Sequence, residues 1–409
     1  MKRVVITGLG AITPVGCTVD TFWNSIKSGK NGIDYITRFD TTDFRVKLAA
    51  EIKDFDPLLY MEKSDVRRND KFVQYAIAAA SQAVADSGIE GNIAPERFGV
   101  YYGTGIGGFE TFVAEQTNLQ NRGPLRVSPL FIPKMIANMA AGNIAIKFAA
   151  KGPCISVSTA CATGTSAIGE AYRAIKGGYA DAIMAGGVEA SISPLAVAAF
   201  MNCMALSESE DKDCASIPFD KRRSGFVMGE GAGALIVENY DHAVARNATI
   251  YAEVVGYGST CDAYHVTAPD SSAECSARAI ADCIKEAGKD FAADRIYVNT
   301  HGTSTPLNDK TETQALKNVF GDDAYKLNIS STKSMTGHLL GAAGAIEGIA
   351  AILALREGIV PPTIGCAEPD EECDLNYTPN VAKETELDFA LSTSLGFGGH
   401  NACVGFAKI

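Results

Sequence analysis

Two kinds of apolar run alternate along the chain. Short and nearly uninterrupted stretches at 3–6, 98–102, 155–158, 182–185, 234–238, 296–299, 327–330 and 402–406 have the length and pattern of buried strands. Between them lie longer segments with helical spacing. Over 70–88, Phe72, Ala76, Ala79, Ala80 and Val84 fall on one face, and Gly88 supplies a stop. Thr7-Gly8-Leu9-Gly10 reads as a turn closing the first strand. Such alternation predicts an α/β architecture.

The pattern changes near residue 250, which suggests two halves, 1–250 and 251–409. Each half carries a strand, a tight turn and a helix dense in Gly and Ala: TACATGTSAIGEA in the first, TGHLLGAAGAIEG in the second. The likeness hints at an internal duplication.

Composition narrows the function classes. The 409 residues are 46% hydrophobic and 21% charged, ordinary for a globular chain, with no low-complexity spacer. The longest small-apolar stretch, 339–355, is interrupted by Glu347 and too short for a bilayer span. MKRVVITGLGAITPVG lacks the features of a signal or transit peptide, so a soluble, cytoplasmic protein is expected. A net charge of -12 argues against nucleic acid or anionic membrane as the main partner. The eleven cysteines show no C-x-x-C spacing and are expected to be reduced thiols. GLGAITPVG does not fit a dinucleotide fingerprint, and the histidines show no zinc spacing, so neither nucleotide cofactor nor metal is expected.

Candidate chemistry gathers on strand-to-helix turns. In SVSTACATGTSAIGEAY, Cys161 falls between a strand and a helix that closes at Lys176-Gly177-Gly178. A helix N-terminus favours a thiolate and offers N–H groups to an oxyanion, so a lowered thiol pKa is expected there. His301 follows the strand at 296–299 and opens HGTSTPLNDKTE, where Asp309 and Glu312 have N-cap and N3 spacing for the next helix. His338 lies in STKSMTGHLLGAAGAIEG, five residues after Lys333. Lys333 is either a solvated charge or half of an ion pair, with Glu347 the candidate partner. In SLGFGGHN, Phe397 stands among glycines whose backbone can approach a ligand closely.

Together STACATGTSAIG, HGTSTPLNDKTE, STKSMTGHLLGAAG and SLGFGGHN resemble the β-ketoacyl-[acyl carrier protein] synthases, in the family's order and over essentially the whole chain. The closest likeness is to the type II condensing enzymes of dissociated fatty acid synthesis. The resemblance implies a thiolase-like duplicated five-layer α/β/α/β/α sandwich, a homodimer, an acyl carrier protein as partner and no cofactor. It carries the catalytic Cys-His-His set onto Cys161, His301 and His338, the family's lysine onto Lys333 and its gating phenylalanine onto Phe397. Thr267 (in AYHVTAPD), Thr303 and Thr305 match the pantetheine and malonyl channel, and Ile106 and Phe131 match the acyl pocket.

Two positions depart from the family. Met204 stands where an arginine for carrier docking is frequent, and Ser224 in RRSGF replaces a common acidic residue. Lys63, Arg67, Arg68, Lys71 and Arg126 remain as docking candidates. Four relatives by fold offer other readings. A thiolase would use a second cysteine, for which Cys403 in NACVGF is the candidate. An initiating synthase would carry Asn where His338 stands. Polyketide ketosynthases share every catalytic residue, and their chain-length partners lack the nucleophile.

Overall fold

The computed structural model describes residues 2–409. Ten strands, β1 (Val4–Ile12), β2 (Phe98–Thr104), β3 (Cys154–Ile155), β4 (Ala182–Glu189), β5 (Gly231–Asn239), β6 (Ala252–Cys261), β7 (Ile296–Asn299), β8 (Asn328–Ser330), β9 (Phe389–Gly396) and β10 (His400–Ala407), follow the order β8-β7-β9-β10-β6-β1-β5-β4-β2-β3. At the midpoint, β1 and β6 pair only through Val4, Val5 and Ile6.

Either side of that junction the topology repeats. In the first half β1–β5 and β5–β4 are antiparallel, and β4–β2 and β2–β3 are parallel. In the second, β6–β10 and β10–β9 are antiparallel, and β9–β7 and β7–β8 are parallel. The duplication suggested by two small-residue helices is therefore present strand for strand.

Five helices complete the layers: α1 (Lys71–Ser87), α2 (Thr163–Lys176), α3 (Glu274–Ala287), α4 (Pro306–Phe320) and α5 (Ala343–Glu357). α1 covers β1 and β5 on one outside, and α3 covers β6 and β10 on the other. α2 and α5 pack on each other and on strands of both halves, forming the central layer of the five-layer sandwich. This explains why α5 is apolar on every face apart from Glu347: every residue from Ala343 to Leu355 is buried.

Small residues set how closely these layers approach. A Cβ on Gly164 in α2 would lie 2.3 Å from the Ala345 nitrogen of α5. Gly164→Val is therefore expected to lower stability by about 3 kcal/mol or more, since the contact is backbone and cannot move aside. A shift of less than about 0.5 kcal/mol in urea unfolding would count against this packing.

The expected turn at 7–10 is instead the interior of β1, which continues to Ile12 past a register shift between Ile6 and Gly8. The glycines answer to packing rather than chain reversal: a Cβ on Gly10 would lie 1.9 Å from the carbonyl oxygen of Ala79 in α1. By contrast, the expectation for 70–88 holds at both ends. Asp70 accepts the Phe72 N–H, and Gly88 closes α1 in the left-handed region. The strand expected at 155–158 is only Cys154–Ile155, because it lies at the sheet edge and pairs β2 at two positions before diverging towards α2. No helix among the described residues is long and apolar enough to cross a membrane.

Candidate active site

The duplication places two equivalent turns side by side at the buried N-terminal ends of the central helices. Ala160 and Leu340 both adopt left-handed backbone at φ 49°. Each opens a single 3-10 turn, Ala160–Ala162 or Leu340–Ala342, that runs directly into α2 or α5. Cys161 occupies this turn in the first half. Gly341 is its counterpart in the second, three residues after His338.

A cavity of about 560 Å3 opens above these turns. Cys161, His301, His338 and Phe397 all line it, as do Ile106, Thr267, Thr303 and Thr305. Phe131 does not line the cavity of its own chain. It begins the helix Phe131–Met135 and packs with Phe112, ring centroids 6.4 Å apart.

Cys161 is partly exposed to the cavity but lies deep below the protein surface. Burial pushes its thiol up to about 12, against the opposing pull of the Lys333 charge and a hydrogen bond from the Phe397 backbone. The lowered pKa expected from the helix end is thus reversed: desolvation of the charged form outweighs the favourable groups.

His301 is held through its backbone. Glu312 accepts the N–H groups of His301 (2.6 Å) and Gly302 (2.7 Å) and the Thr393 hydroxyl (2.6 Å). Glu312 was expected to cap a helix. Instead α4 starts earlier, at Pro306, and both acids lie inside it. Asp309 accepts from the Ser304 and Phe219 N–H groups. The acids thus fix the 301–304 loop, whose donors have no strand to pair with. Burial lifts the Glu312 carboxyl to about 7, opposed by these same hydrogen bonds.

His338 is pinned by its N–H to Val227 O (2.8 Å) and by its carbonyl to Gly229 N–H (2.8 Å). Its Nδ1 accepts the Leu340 N–H at 3.3 Å, which leaves the ring proton on Nε2. Edge-to-face contacts at 5.2 Å with Phe226 and with His301 set the ring plane. Burial and then the Lys333 charge depress both histidines well below the ordinary value, so both are neutral at pH 7.

Lys333 Nζ pairs with Glu347, and both side chains are almost wholly buried. Of the two possibilities left open by the sequence, the ion pair is the one observed. Phe397 lies in the Phe397-Gly398-Gly399 turn between β9 and β10, whose two glycines have φ 90° and 78°. Its ring faces Phe200 at 6.4 Å.

Sequence reasoning overlooked Glu189, the last residue of β4, which is fully buried. It accepts from Thr104 Oγ1, the Gly105 and Ile106 N–H groups, Ser191 Oγ and the Gly341 N–H across the junction. The signal was a carboxylate ending an otherwise apolar strand, AIMAGGVE. Cys403, the candidate second cysteine of a thiolase, is buried in β10 beside Cys283 and does not line the cavity.

Of the docking candidates, Lys63, Arg67, Arg68 and Arg126 are exposed, whereas Lys71 is half-buried and pairs with Glu110 at 3.0 Å. None of the five lines the cavity.

Comparison with known proteins matches the beta-ketoacyl synthase N-terminal domain to residues 1–243 and the beta-ketoacyl synthase C-terminal domain to residues 251–367. A 3-oxoacyl-[acyl-carrier-protein] synthase 2 of Staphylococcus aureus (strain COL) is 50% identical, across 100% of this chain and 98% of that protein. The Synechocystis protein of the same name is 49% identical, with the same coverage. The solved complex of a type II polyketide synthase acyl carrier protein with its ketosynthase bound to the hexaketide contains a similar chain. It has a TM-score of 0.91 and 34% identity, with 100% of both chains covered.

Proposed function

Because the chain belongs to the β-ketoacyl synthase family, we propose that it elongates fatty acyl chains by decarboxylating condensation, with Cys161 carrying the acyl group. It is an acyltransferase of the 3-oxoacyl-[acyl carrier protein] synthase 2 type. The observation that carries the residue assignment is the convergence of Cys161, His301 and His338 on one cavity.

In the first half-reaction Cys161 Sγ attacks the acyl thioester and the pantetheine thiol leaves. The buried thiol is protonated at rest, so its proton leaves as Sγ attacks and passes to the departing pantetheine sulfur, which leaves as a thiol with both histidines neutral. The N–H groups of Cys161 and Phe397 hold the tetrahedral oxyanion.

Malonyl carrier protein then enters. Neutral His338, with its proton on Nε2, and neutral His301 donate to the malonyl thioester oxygen. The C–C bond to the carboxylate breaks, CO2 departs, and its electron pair is held as an enolate. That enolate attacks the Cys161 thioester, displacing Sγ and giving a 3-oxoacyl product two carbons longer. A charged imidazolium is not needed: the depressed pKa values keep both rings neutral, and a neutral imidazole N–H donates a hydrogen bond but is too weak an acid to give its proton to the enolate. Thr303 and Thr305, whose hydroxyls lie 3.0 Å apart, serve the pantetheine channel with Thr267. Ile106 serves the acyl pocket.

The chain acts as a homodimer. Leu125, Ile132, Phe112 and Leu119 are 97%, 53%, 40% and 42% exposed, and the edge strand β3 leaves Ile155 46% exposed. A second copy covering this face would also bring its Phe131 towards the neighbouring acyl pocket. Lys63, Arg67, Arg68 and Arg126 attract an acidic carrier protein, and a cytoplasmic location fits such a partner.

The test is intact-mass analysis with medium-chain acyl carrier protein. The expected result is a mass gain on Cys161, discharged by malonyl carrier protein with release of a 3-oxoacyl product. Loading by acyl-CoA but by no acyl carrier protein would overturn the reading.

A further inference from the structure

Resting on the condensing-enzyme reading above, we propose that Met204, Val266 and Leu307 form an apolar lip against which the acyl carrier protein packs at short range. At the cavity mouth the contact is apolar rather than charged. All three side chains stand in solvent, at 85%, 74% and 59% exposure, although each is large and apolar.

Met204 and Leu307 line the outer end of the cavity, and Val266 adjoins Thr267 and Ala268, which also line it. Val266 is fixed to the catalytic turn, because its carbonyl accepts the Gly398 N–H at 2.7 Å. Met204 ends the helix Pro194–Asn202 with a left-handed φ of 56°, where glycine or asparagine is the low-cost choice. A methionine kept there, with its side chain in water, gains nothing from the fold.

Charge does not account for the mouth. Among the described residues, no lysine or arginine lines the cavity, and Asp262 is the only acid that does. Arg223 lies beneath the lip, donating to the carbonyls of Thr305 (3.4 Å) and Pro306 (3.1 Å). It is only 8% exposed and is paired with Asp370. Arg222 is paired with Asp220 at 2.8 Å. With a net charge of -12, the chain offers an acidic carrier little general attraction.

The exposed cations at 63, 67, 68 and 126 can guide the carrier from outside the mouth. The carrier must nevertheless bring its thioester arm through the mouth to reach Cys161. Whatever surface surrounds the root of that arm then meets the apolar lip. This divides docking into salt-sensitive steering away from the mouth and short-range apolar contact at it.

The experiment is steady-state condensation with medium-chain acyl carrier protein, repeated with the acyl N-acetylcysteamine thioester, which has no carrier surface. Met204→Ala is expected to raise KM for the carrier substrate about tenfold while kcat moves less than about threefold, and Met204→Leu to restore KM. Met204→Glu is expected to raise it further. Carrier KM within about twofold of the parent in both the Ala and Glu variants would overturn the lip contact. So would an equal loss with the carrier-free thioester, which would place Met204 in the acyl path instead. If the parent enzyme is never loaded by acyl carrier protein, the condensing-enzyme reading itself fails, an outcome distinct from either.

Discussion

Cys161→Ala is expected to abolish condensation, by about 10^4-fold or more, while malonyl decarboxylation persists within about tenfold of the parent rate. The two activities separate because they use different atoms. Acyl transfer requires Sγ, and no other cysteine can replace it. Cys403 is buried in β10, and Cys203 stands exposed at the helix end beside Met204, with none of the framework that holds Cys161. Decarboxylation instead requires a hydrogen-bonded enolate, and the backbone contacts fixing His301 and His338 do not involve the thiol. Removing Sγ also leaves the neutral imidazoles in place. The measurement is CO2 release from malonyl carrier protein beside formation of the 3-oxoacyl product. Equal loss of both would mean that Cys161 shapes the site rather than carrying the acyl group. Retained condensation would remove the covalent mechanism altogether.

What could be read from the chain depended on whether the signal was local. The turn bearing Cys161 was legible because a strand, a short turn and a helix of small residues follow one another within twenty positions. The equivalent turn at Leu340 repeats that grammar, and the strand order proves the repetition real. Glycines 8 and 10 misled, because a glycine placed for the approach of α1 looks the same in sequence as one placed for a turn.

Asp309 and Glu312 misled for a related reason. Their spacing suits a capping box, but their oxygens serve the 301–304 loop, a contact made only after folding. The Cys161 pKa was misjudged because a helix end is visible in sequence while burial is not. Phe131 shows the limit most clearly. Its position along the chain matches an acyl-pocket residue, yet it does not line the cavity of its own chain.

The largest combined effect on stability and chemistry is expected from Lys333→Met. Lys333 and Glu347 are buried together, at 1% and 2% exposure, and removing one partner of such a pair costs about 3–5 kcal/mol. Part of that loss is recovered if Glu347 takes up a proton, which its burial already favours. The double variant Lys333→Met, Glu347→Gln is therefore expected to be more stable than the single one. The catalytic consequence has a definite sign. Burial depresses His301 and His338 first and the Lys333 cation depresses them further, so removing the cation raises both pKa values towards the ordinary histidine range. In the parent enzyme the folded histidines bind protons more weakly than the unfolded ones. Stability therefore falls as pH drops below the ordinary histidine value and continues to fall until the depressed folded values are reached. In the variant that slope weakens, while the acid limb of decarboxylation moves to higher pH, because protonation now reaches the imidazoles sooner. A limb that stays in place, measured in the double variant so that misfolding is not the cause, would show that Lys333 acts on the acyl-transfer step alone. In that case the neutral state of the two histidines would rest on burial without help from the cation.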